Sequence, residues 1–313
     1  MAFLNALPGA IAEGLIWGLM AIGVYISYKI LDIADLTVDG SICTGACVCA
    51  VLIAAGLPAW LSMLIAFVAG AVAGVVTGFL HTGLGIPAIL AGILSQLMLY
   101  SVNLAILGGK SLMIVDYRQN NLFLHMSDNL MAIVCAGLLI VATIVGLWLF
   151  FYTEVGLTLK STGDNPDMSR AQGVNVKRNK VIGLAIANGL VALAGSLLAQ
   201  YKGSANINDG RGAIVIGLAA IFIGLSVSLK IKPNFVVSLI GVVGGGIVYY
   251  IIYNFVILLG LKTDYLKMLS AIIVVIFLAM PYLKGEYFSK KKKATPVALP
   301  KSKNTDEGGR NDA

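Results

Sequence analysis

The chain has 313 residues, of which 58% are hydrophobic and only 12% are charged, and its formal net charge is +7. A soluble domain needs charged residues over its whole surface, whereas here they are concentrated in a few short segments, so a soluble globular protein is excluded. No basic stripe is interleaved with aromatic residues, so no nucleic-acid partner is expected either.

Long apolar runs predict a polytopic membrane protein, because about 20 residues at ~1.5 Å each cross roughly 30 Å of hydrocarbon. We place the spans at residues 7–28, 41–56, 59–80, 85–107, 129–152, 181–200, 213–229, 235–259 and 266–283. The second and seventh runs are short, so each is either a full crossing or a broken or re-entrant helix buried by its neighbours. The expected fold class is an all-α polytopic transmembrane helical bundle of about 8–10 spans, with short or broken helices among them.

Two polar, glycine-bearing segments interrupt the apolar sequence at corresponding places in its two halves. Residues 32–41 read Asp-Ile-Ala-Asp-Leu-Thr-Val-Asp-Gly-Ser, and residues 206–212 read Asn-Ile-Asn-Asp-Gly-Arg-Gly. Internally repeated transporters show paired interruptions where half-helices meet a substrate path, and ionisable groups at membrane depth line water or pair with one another. Two ordinary polar loops at the membrane surface are the alternative. The candidates for the substrate path are Asp35, Thr37, Asp39, Ser41, Asn208, Asp209 and Arg211.

Other short patterns predict packing and argue against catalysis. Gly70, Gly74 and Gly78 repeat every four residues, so they share one helix face and allow close approach of a neighbouring helix. The four cysteines lie in apolar runs and their spacing predicts no metal site. The tripeptide 109–111, Gly-Lys-Ser, is identical to the end of a phosphate-binding loop. That motif also needs a glycine five positions before Gly109, where this chain has Leu104. We therefore expect no ATP site, no catalytic residue and no cofactor in this chain.

The hydrophilic loop 154–180 contains a short helix with clear start and stop signals. Asn165 is suited to cap it, Pro166 fits its first turn, Asp167 complements the positive end of its dipole and Gly173 terminates it. Such a helix is too short to be stable alone in water, so it needs a surface to pack against. With the rest of the chain in lipid, a cytosolic partner protein is the natural candidate, and we predict a docking element.

The distribution of basic residues predicts the orientation. The loop 154–180 carries five Lys and Arg residues, and the run 290–293 is entirely lysine, so both are expected in the cytoplasm. Four predicted spans separate them, which is consistent, and the N-terminus then lies outside. The region 1–287 is expected to be the membrane domain, with 154–180 as its cytoplasmic coupling loop. The region 288–313 is expected to be a disordered, basic cytoplasmic tail beside the lipid head groups.

The chain resembles the permease subunits of bacterial ATP-binding-cassette (ABC) importers of the branched-chain amino acid and ribose type. The similar segments are 35–41, the coupling region (153–160, 163–166 and 171–175), the Ala/Gly-rich run 187–195 and the glycine-bearing stretch 217–246. Sugar-transporting relatives commonly have Ser-Val-Gly where this chain has Thr-Val-Asp-Gly at 37–40. The added Asp39 is more like the amino-acid branch, including aromatic solutes such as tryptophan or tyrosine.

The resemblance implies partners and roles. A separate ABC ATPase would bind the short helix through Asn165, Pro166, Asp167, Arg170, Ala171 and Gly173. An extracellular substrate-binding protein or lipoprotein would deliver the solute, docking on loops such as 108–128 and 206–212. A second permease copy, in a homodimer, would complete the transporter in the bacterial plasma membrane.

Two hypotheses from other classes compete with the importer. The first is an ion-coupled secondary transporter with Asp32, Asp35 and Asp39 as a proton or sodium relay, because their spacing places them on one face if the stretch is helical. It does not account for the capped cytosolic helix. The second is a channel-like membrane protein, which needs a stripe of polar residues along one helix face, and the sequence has none.

Overall fold

The structure is a computed structural model, and it describes residues 2–115, 129–228 and 234–258 together with the single positions 268, 271, 272 and 275. All of them belong to one compact unit, Met1–Leu278. Apart from those four single positions, the predicted span 266–283 lies outside the described residues, as does the whole tail 288–313.

The described part of the chain is almost entirely helical, with two short strands. The helices are α1 (Ala2–Tyr25), continued by a π-helical turn (Ile26–Ile30), α2 (Val38–Ala54), α3 (Ala59–Thr82), α4 (Ala88–Ile106), α5 (Asn129–Phe151), α6 (Glu154–Asp164), α7 (Pro166–Ala171), α8 (Val176–Lys202), α9 (Ala213–Ser228) and α10 (Phe235–Leu258). The strands β1 (Leu112–Ile114) and β2 (Ser204–Asn206) pair in antiparallel register, with Leu112 opposite Asn206.

Six described helices are long and apolar enough to cross a membrane, namely α1, α3, α4, α5, α8 and α10. The second and seventh predicted spans correspond to α2 and α9, which are shorter apolar helices of 17 and 16 residues. The all-α polytopic architecture is therefore confirmed.

Helix α8 is the central element, and glycines on its neighbours allow their backbones to approach it. A Cβ atom at Gly45 of α2 would overlap the Ala192 carbonyl of α8, and one at Gly70 of α3 would overlap the Asn188 carbonyl. Gly74 and Gly78 also face α8, so the glycine face predicted for the third span is confirmed. Close backbone contact of this kind is what small residues provide where lipid offers no hydrophobic driving force between helices.

The bundle has two ends, which we name by what they carry. At the α7 end, α8 begins next to α6 and α7, and the π-helical turn after α1 ends against α6, since a Cβ atom at Gly163 would overlap the Ile30 carbonyl. At the opposite end, the β end, α8 leads into β2, and the first turns of α1 lie beside Tyr201 near Gly9. The start of α1 and the loop 154–180 thus lie at opposite ends.

Candidate functional site

The two short helices α2 and α9 begin next to each other in the interior of the bundle. Asp39, in the first turn of α2, accepts a hydrogen bond from the backbone N–H of Gly212 and another from that of Ile214, both at 2.9 Å. The first turn of any helix carries unpaired N–H groups and a partial positive charge. One carboxylate therefore caps α9 while it also lies at the positive end of α2.

This junction lies near mid-height in the bundle. Ser41, in the first turn of α2, donates a hydrogen bond to Asn188, which is 12 residues from the start of α8 and 14 from its end. At ~1.5 Å per residue, Asn188 is about 18 Å from the α7 end. From the junction α2 runs to the β end, where Cys49 meets Gln200. Helix α9 runs to the α7 end, where Phe222 packs edge-on against Tyr28.

A buried polar network fixes the non-helical segment 31–37 that leads into α2. The Asp35 side chain is 2% exposed, and its two oxygens accept hydrogen bonds from the Thr37 backbone N–H at 2.9 Å and from Asn188 Nδ2 at 2.6 Å. Asn188 Oδ1 accepts from Ser41 Oγ at 2.6 Å. Because each polar group finds a partner, the network tolerates burial that would otherwise cost several kcal/mol.

The same segment is held from its other side by α3 and α4. The hydroxyls of Thr37 and Thr77 are 2.8 Å apart, and Thr77 donates to Ser95 of α4 at 2.8 Å. Leu36 lies against Gly92 of α4. A Cβ atom at Gly92 would come within 2.7 Å of the Leu36 backbone nitrogen. Residues 31–37 are therefore clamped between α8 on one side and the α3–α4 pair on the other.

Asn188, Thr77 and Ser95 were missed by sequence reasoning, although each is a polar residue within an apolar span. Asn188 carried the clearest signal, because an amide in the middle of a buried membrane helix needs partners. Its neighbours Ala187 and Gly189 are typical of ordinary small-residue helix packing, so the local sequence does not distinguish Asn188 as part of a polar network.

The premise of the carboxylate relay is wrong, because residues 32–35 are not helical. Asp32 has a left-handed backbone, with φ of 55°, and is exposed, whereas Asp35 is buried in the polar network. Asp39 belongs to α2. The three carboxylates do not share a helix face, and a relay along such a face cannot form.

The second interrupting segment meets the first through its glycine. Gly210 donates its N–H to Cys43 Sγ at 3.1 Å, and Cys43 lies one turn beyond Asp39. Its charged residues point elsewhere: Asp209 pairs with Lys202 at 3.8 Å, and the Arg211 guanidinium lies 5.9 Å from the centre of the Tyr100 ring. Asn208 is exposed and donates its backbone N–H to the Asn206 side chain. Of the path candidates, only Asp35, Thr37, Asp39 and Ser41 belong to the buried junction.

The short helix in the loop 154–180 forms with the predicted caps. Asn165 Oδ1 accepts from the Met168 backbone N–H at 2.9 Å, Pro166 is the first helical residue and Gly173 has φ of +83°. Within α7 only Ser169 is buried; its hydroxyl donates to the Asn165 carbonyl at 2.9 Å, and Ser161 Oγ lies 3.2 Å from the same oxygen. The other α7 residues project from the bundle, including the apolar Met168, which is 59% exposed.

The loop also contains α6, which the sequence did not predict. Thr153 caps α6 by accepting from the Gly156 N–H at 3.3 Å. Thr162 of α6 accepts from Asn179 Nδ2 of α8 at 3.1 Å, and Gly163 packs on the Ile30 backbone. Helix α7 therefore packs on α6 and α8, which are themselves joined by hydrogen bonding. The ion pair between Asp167 Oδ1 and Arg170 Nη1, at 3.5 Å, contributes little to stability, because both side chains are largely exposed.

Metal-binding chemistry finds no support in the part of the chain that the structure describes. No group of three or more His, Cys, Asp or Glu side chains comes together there to hold an ion. Cys43, Cys47 and Cys49 are buried in α2 as free thiols, which agrees with their packing role.

Comparison with known proteins agrees with this architecture. The sequence model of the family described as branched-chain amino acid transport system / permease component matches residues 8–278. A tyrosine transport system permease protein of Clostridioides difficile (strain R20291) is 35% identical over 95% of this chain and 97% of its own. An uncharacterized protein of Rickettsia prowazekii (strain Madrid E) is 33% identical over 90% of this chain and 99% of its own.

Shorter similarities extend to other solutes. A xylose transport system permease protein of Haemophilus influenzae is 35% identical over 28% of this chain and 23% of its own. No solved structure matches the chain. A family match of this length, with six helices able to span a membrane, indicates a multi-pass membrane protein. The chain belongs to the branched-chain amino acid transport system permease family of ABC transporters.

Proposed function

We propose that this chain is the permease of an ATP-driven importer that moves an amino acid, an aromatic one in particular, across the bacterial plasma membrane. A separate ABC ATPase hydrolyses ATP, an extracellular binding protein or lipoprotein delivers the solute, and two copies of the chain form the translocating unit. The α7 end faces the cytoplasm, as does the C-terminus. The observation that carries the proposal is the capped, outward-projecting α7 in a chain of the ABC permease family.

The exposed surface of α7 has the composition of a docking site. Asp167, Met168, Arg170 and Ala171 are all exposed, so it offers one acidic, one basic and two apolar groups within two turns. An apolar side chain that is surrounded by charges and projects into water is typical of a protein contact. We infer that the ATPase binds this surface, while Asn165, Pro166 and Gly173 fix the shape of the helix without contacting the partner.

Movement of α7 has a physical route into the bundle. Helix α7 is joined through a short turn with a glycine to α8, and α8 carries Asn188 at mid-height. Asn188 is hydrogen-bonded to Asp35 and Ser41. Asp39, in the same first turn of α2 as Ser41, caps α9. We propose that tilting of α8 by the ATPase shifts the α2–α9 junction as a unit. Such rigid-body motion is a common way to alternate access.

The similarity to a tyrosine permease supports the proposed assignment to amino acids. The tyrosine permease of Clostridioides difficile covers nearly the whole chain, whereas the xylose permease matches only 28% of it. Asp39 serves as a helix cap in this structure, so we propose a structural role for it and not direct recognition of the solute. The solute is then selected mainly by the binding protein.

A charge-reversal pair tests the docking surface. The full chain is co-expressed with a candidate ABC ATPase from the same organism, and the ATPase that co-purifies in nanodiscs is quantified. Arg170→Glu is expected to lower co-purification at least about tenfold, since a like charge in a matched contact costs several kcal/mol. Lys110→Glu makes the same change at an exposed site at the β end and should not affect it. Equal recovery with both variants would count against α7 as the docking site.

Uptake measurements separate the importer from an ion-coupled transporter. Purified chain alone, in liposomes with an imposed proton or sodium gradient, should not accumulate labelled tyrosine, tryptophan or leucine. Addition of the ATPase, the binding protein and internal ATP should produce uptake. Gradient-driven accumulation by the chain alone would refute the proposal.

A further inference from the structure

A polar cavity of about 220 Å³ lies at the β end, between α1, α5, α8 and α10. Its polar lining comes from Glu13, Asn129, Tyr201 and Asn254. One water molecule occupies roughly 30 Å³ of liquid, so the cavity has room for a small organic group. Glu13 is half-buried, within the span Ala6–Ile30 and two turns from its start.

Most other carboxylates described in the bundle already have partners. Asp35 accepts from Thr37 and Asn188, Asp39 caps α9 and Asp209 pairs with Lys202. Asp32 is exposed near the α7 end. Glu13 makes no hydrogen bond or ion pair with any described residue, although Lys202 attracts it from a distance. An acidic side chain within a membrane span that has no such partner requires a functional explanation.

The neighbouring polar groups supply acceptors. Tyr201 donates its hydroxyl hydrogen to Asn129 Oδ1 at 3.1 Å, which leaves the phenol oxygen as an acceptor. Asn254 donates Nδ2 to the Tyr250 carbonyl at 3.3 Å and keeps its amide oxygen. A carboxylate with two neutral acceptors complements a primary ammonium group, which has three donors and no acceptor.

We propose that this cavity, which we call the Glu13 cavity, binds the primary ammonium group of the solute at the outer side of the permease. The inference rests on the proposed function, because every α-amino acid other than proline carries such a group. Glu13 forms the charged contact, while Tyr201 and Asn254 orient the N–H donors. The cavity lies at the β end of the described residues, which is the side that the proposed function assigns to the binding protein.

The experiment measures the charge selectivity of a cysteine placed in the cavity wall. Ala6 lines the cavity about two turns before Glu13, and Cys135 is replaced by alanine because it is the least buried native thiol among the described residues. The full-length A6C/C135A chain in nanodiscs is labelled with 2-aminoethyl methanethiosulfonate, a primary ammonium, or with its sulfonate analogue, an anion. The ratio of the two labelling rates is compared with and without Glu13→Gln.

We expect Glu13→Gln to lower the cation-to-anion ratio at least about tenfold, because a unit charge roughly 10 Å away favours a cation strongly at an effective dielectric constant of about 20. Glu154→Gln removes the same charge near the α7 end and should leave the ratio unchanged. Ethylammonium should slow ammonium labelling of the A6C/C135A chain about fivefold at a concentration where sodium does not. That protection should disappear with Glu13→Gln.

Two results would overturn the assignment. An unchanged ratio in the Glu13→Gln variant shows that the carboxylate does not control the cavity. Equal protection by sodium and ethylammonium shows an inorganic cation site only. These labelling results need no ATPase, so they are independent of the uptake measurements: absence of amino-acid uptake with intact ammonium selectivity would refute the proposed function and leave the Glu13 cavity in place.

Discussion

Asp35 and Asn188 lie at the centre of the buried network, and exchanging the two side chains should restore most of the free energy of unfolding that either single substitution removes. Asn188→Ala leaves the buried Asp35 carboxylate with one hydrogen bond fewer and the Ser41 hydroxyl without its 2.6 Å partner. A bond to a charged group contributes about 1.5–3 kcal/mol and a neutral bond about 1 kcal/mol. The measured contribution of a hydrogen bond between membrane helices to stability is lower, about 0.6 kcal/mol on average. We therefore expect a loss of about 2–3 kcal/mol in the free energy of unfolding.

The double variant Asp35→Asn with Asn188→Asp retains the hydrogen bonds among positions 35, 37, 41 and 188. The amide placed at position 35 donates to the carboxylate placed at position 188 and accepts from the Thr37 N–H, while the new carboxylate accepts from Ser41. The bond from position 188 to the Leu184 carbonyl is lost, so the expected net cost is about 1 kcal/mol.

Reversible unfolding in mixed micelles of the wild type, both single variants and the double variant gives the coupling energy as a double-mutant cycle. The single variants Asp35→Asn and Asn188→Asp should each be destabilised by about 2 kcal/mol or more, and their costs should not add. If the double variant is as unstable as the sum of the two single variants, the side chains do not interact as described.

Three further changes test the packing and the caps. Gly70→Val forces a side chain against the α8 backbone, so the folded fraction on size-exclusion chromatography should be abolished. Gly137→Ala is the control, because a Cβ atom there meets nothing within 4 Å, and this variant should elute as the wild type does. Asn165→Ala removes the α7 cap, about 1 kcal/mol, so the Met168 amide should exchange its hydrogen roughly fivefold faster by mass spectrometry; equal rates would exclude the cap. Asp39→Asn keeps one acceptor for two N–H groups and should lower the free energy of unfolding by about 2 kcal/mol, and an unchanged unfolding curve would contradict capping of α9.

The amount of structure that the sequence could predict depended on the range of the interactions. The span positions within the described residues, the shortness of α2 and α9, and the caps of α7 follow from composition and local signals, and the structure confirms them. The span predicted at 266–283 lies largely outside the described residues. Helix α6 was missed because polar residues and glycines make up most of its sequence, which resembles a surface loop until Thr153 and Gly163 find their partners.

Contacts across the chain could not be predicted. Asp39 and Gly212 are 173 residues apart, and Asp35 and Asn188 are 153 apart. The two interrupting segments contact each other in the structure, but the sequence pattern could not tell a helix cap from a substrate ligand. Glu13 is the single acidic residue of the first apolar run, yet only the surrounding acceptors show what it could bind.

The α2–α9 junction also determines the electrostatic profile across the membrane. Each helix start carries about half of a positive elementary charge, so two starts side by side amount to about one, and the Asp39 carboxylate supplies one negative charge at the same point. Asp39 therefore balances the two helix starts without any bound ion, while the buried Asp35 carboxylate is stabilised separately by its hydrogen bonds from Thr37 and Asn188. A chain with an uncharged residue at position 39 would leave about one positive elementary charge uncompensated at the two helix starts, halfway through the bilayer.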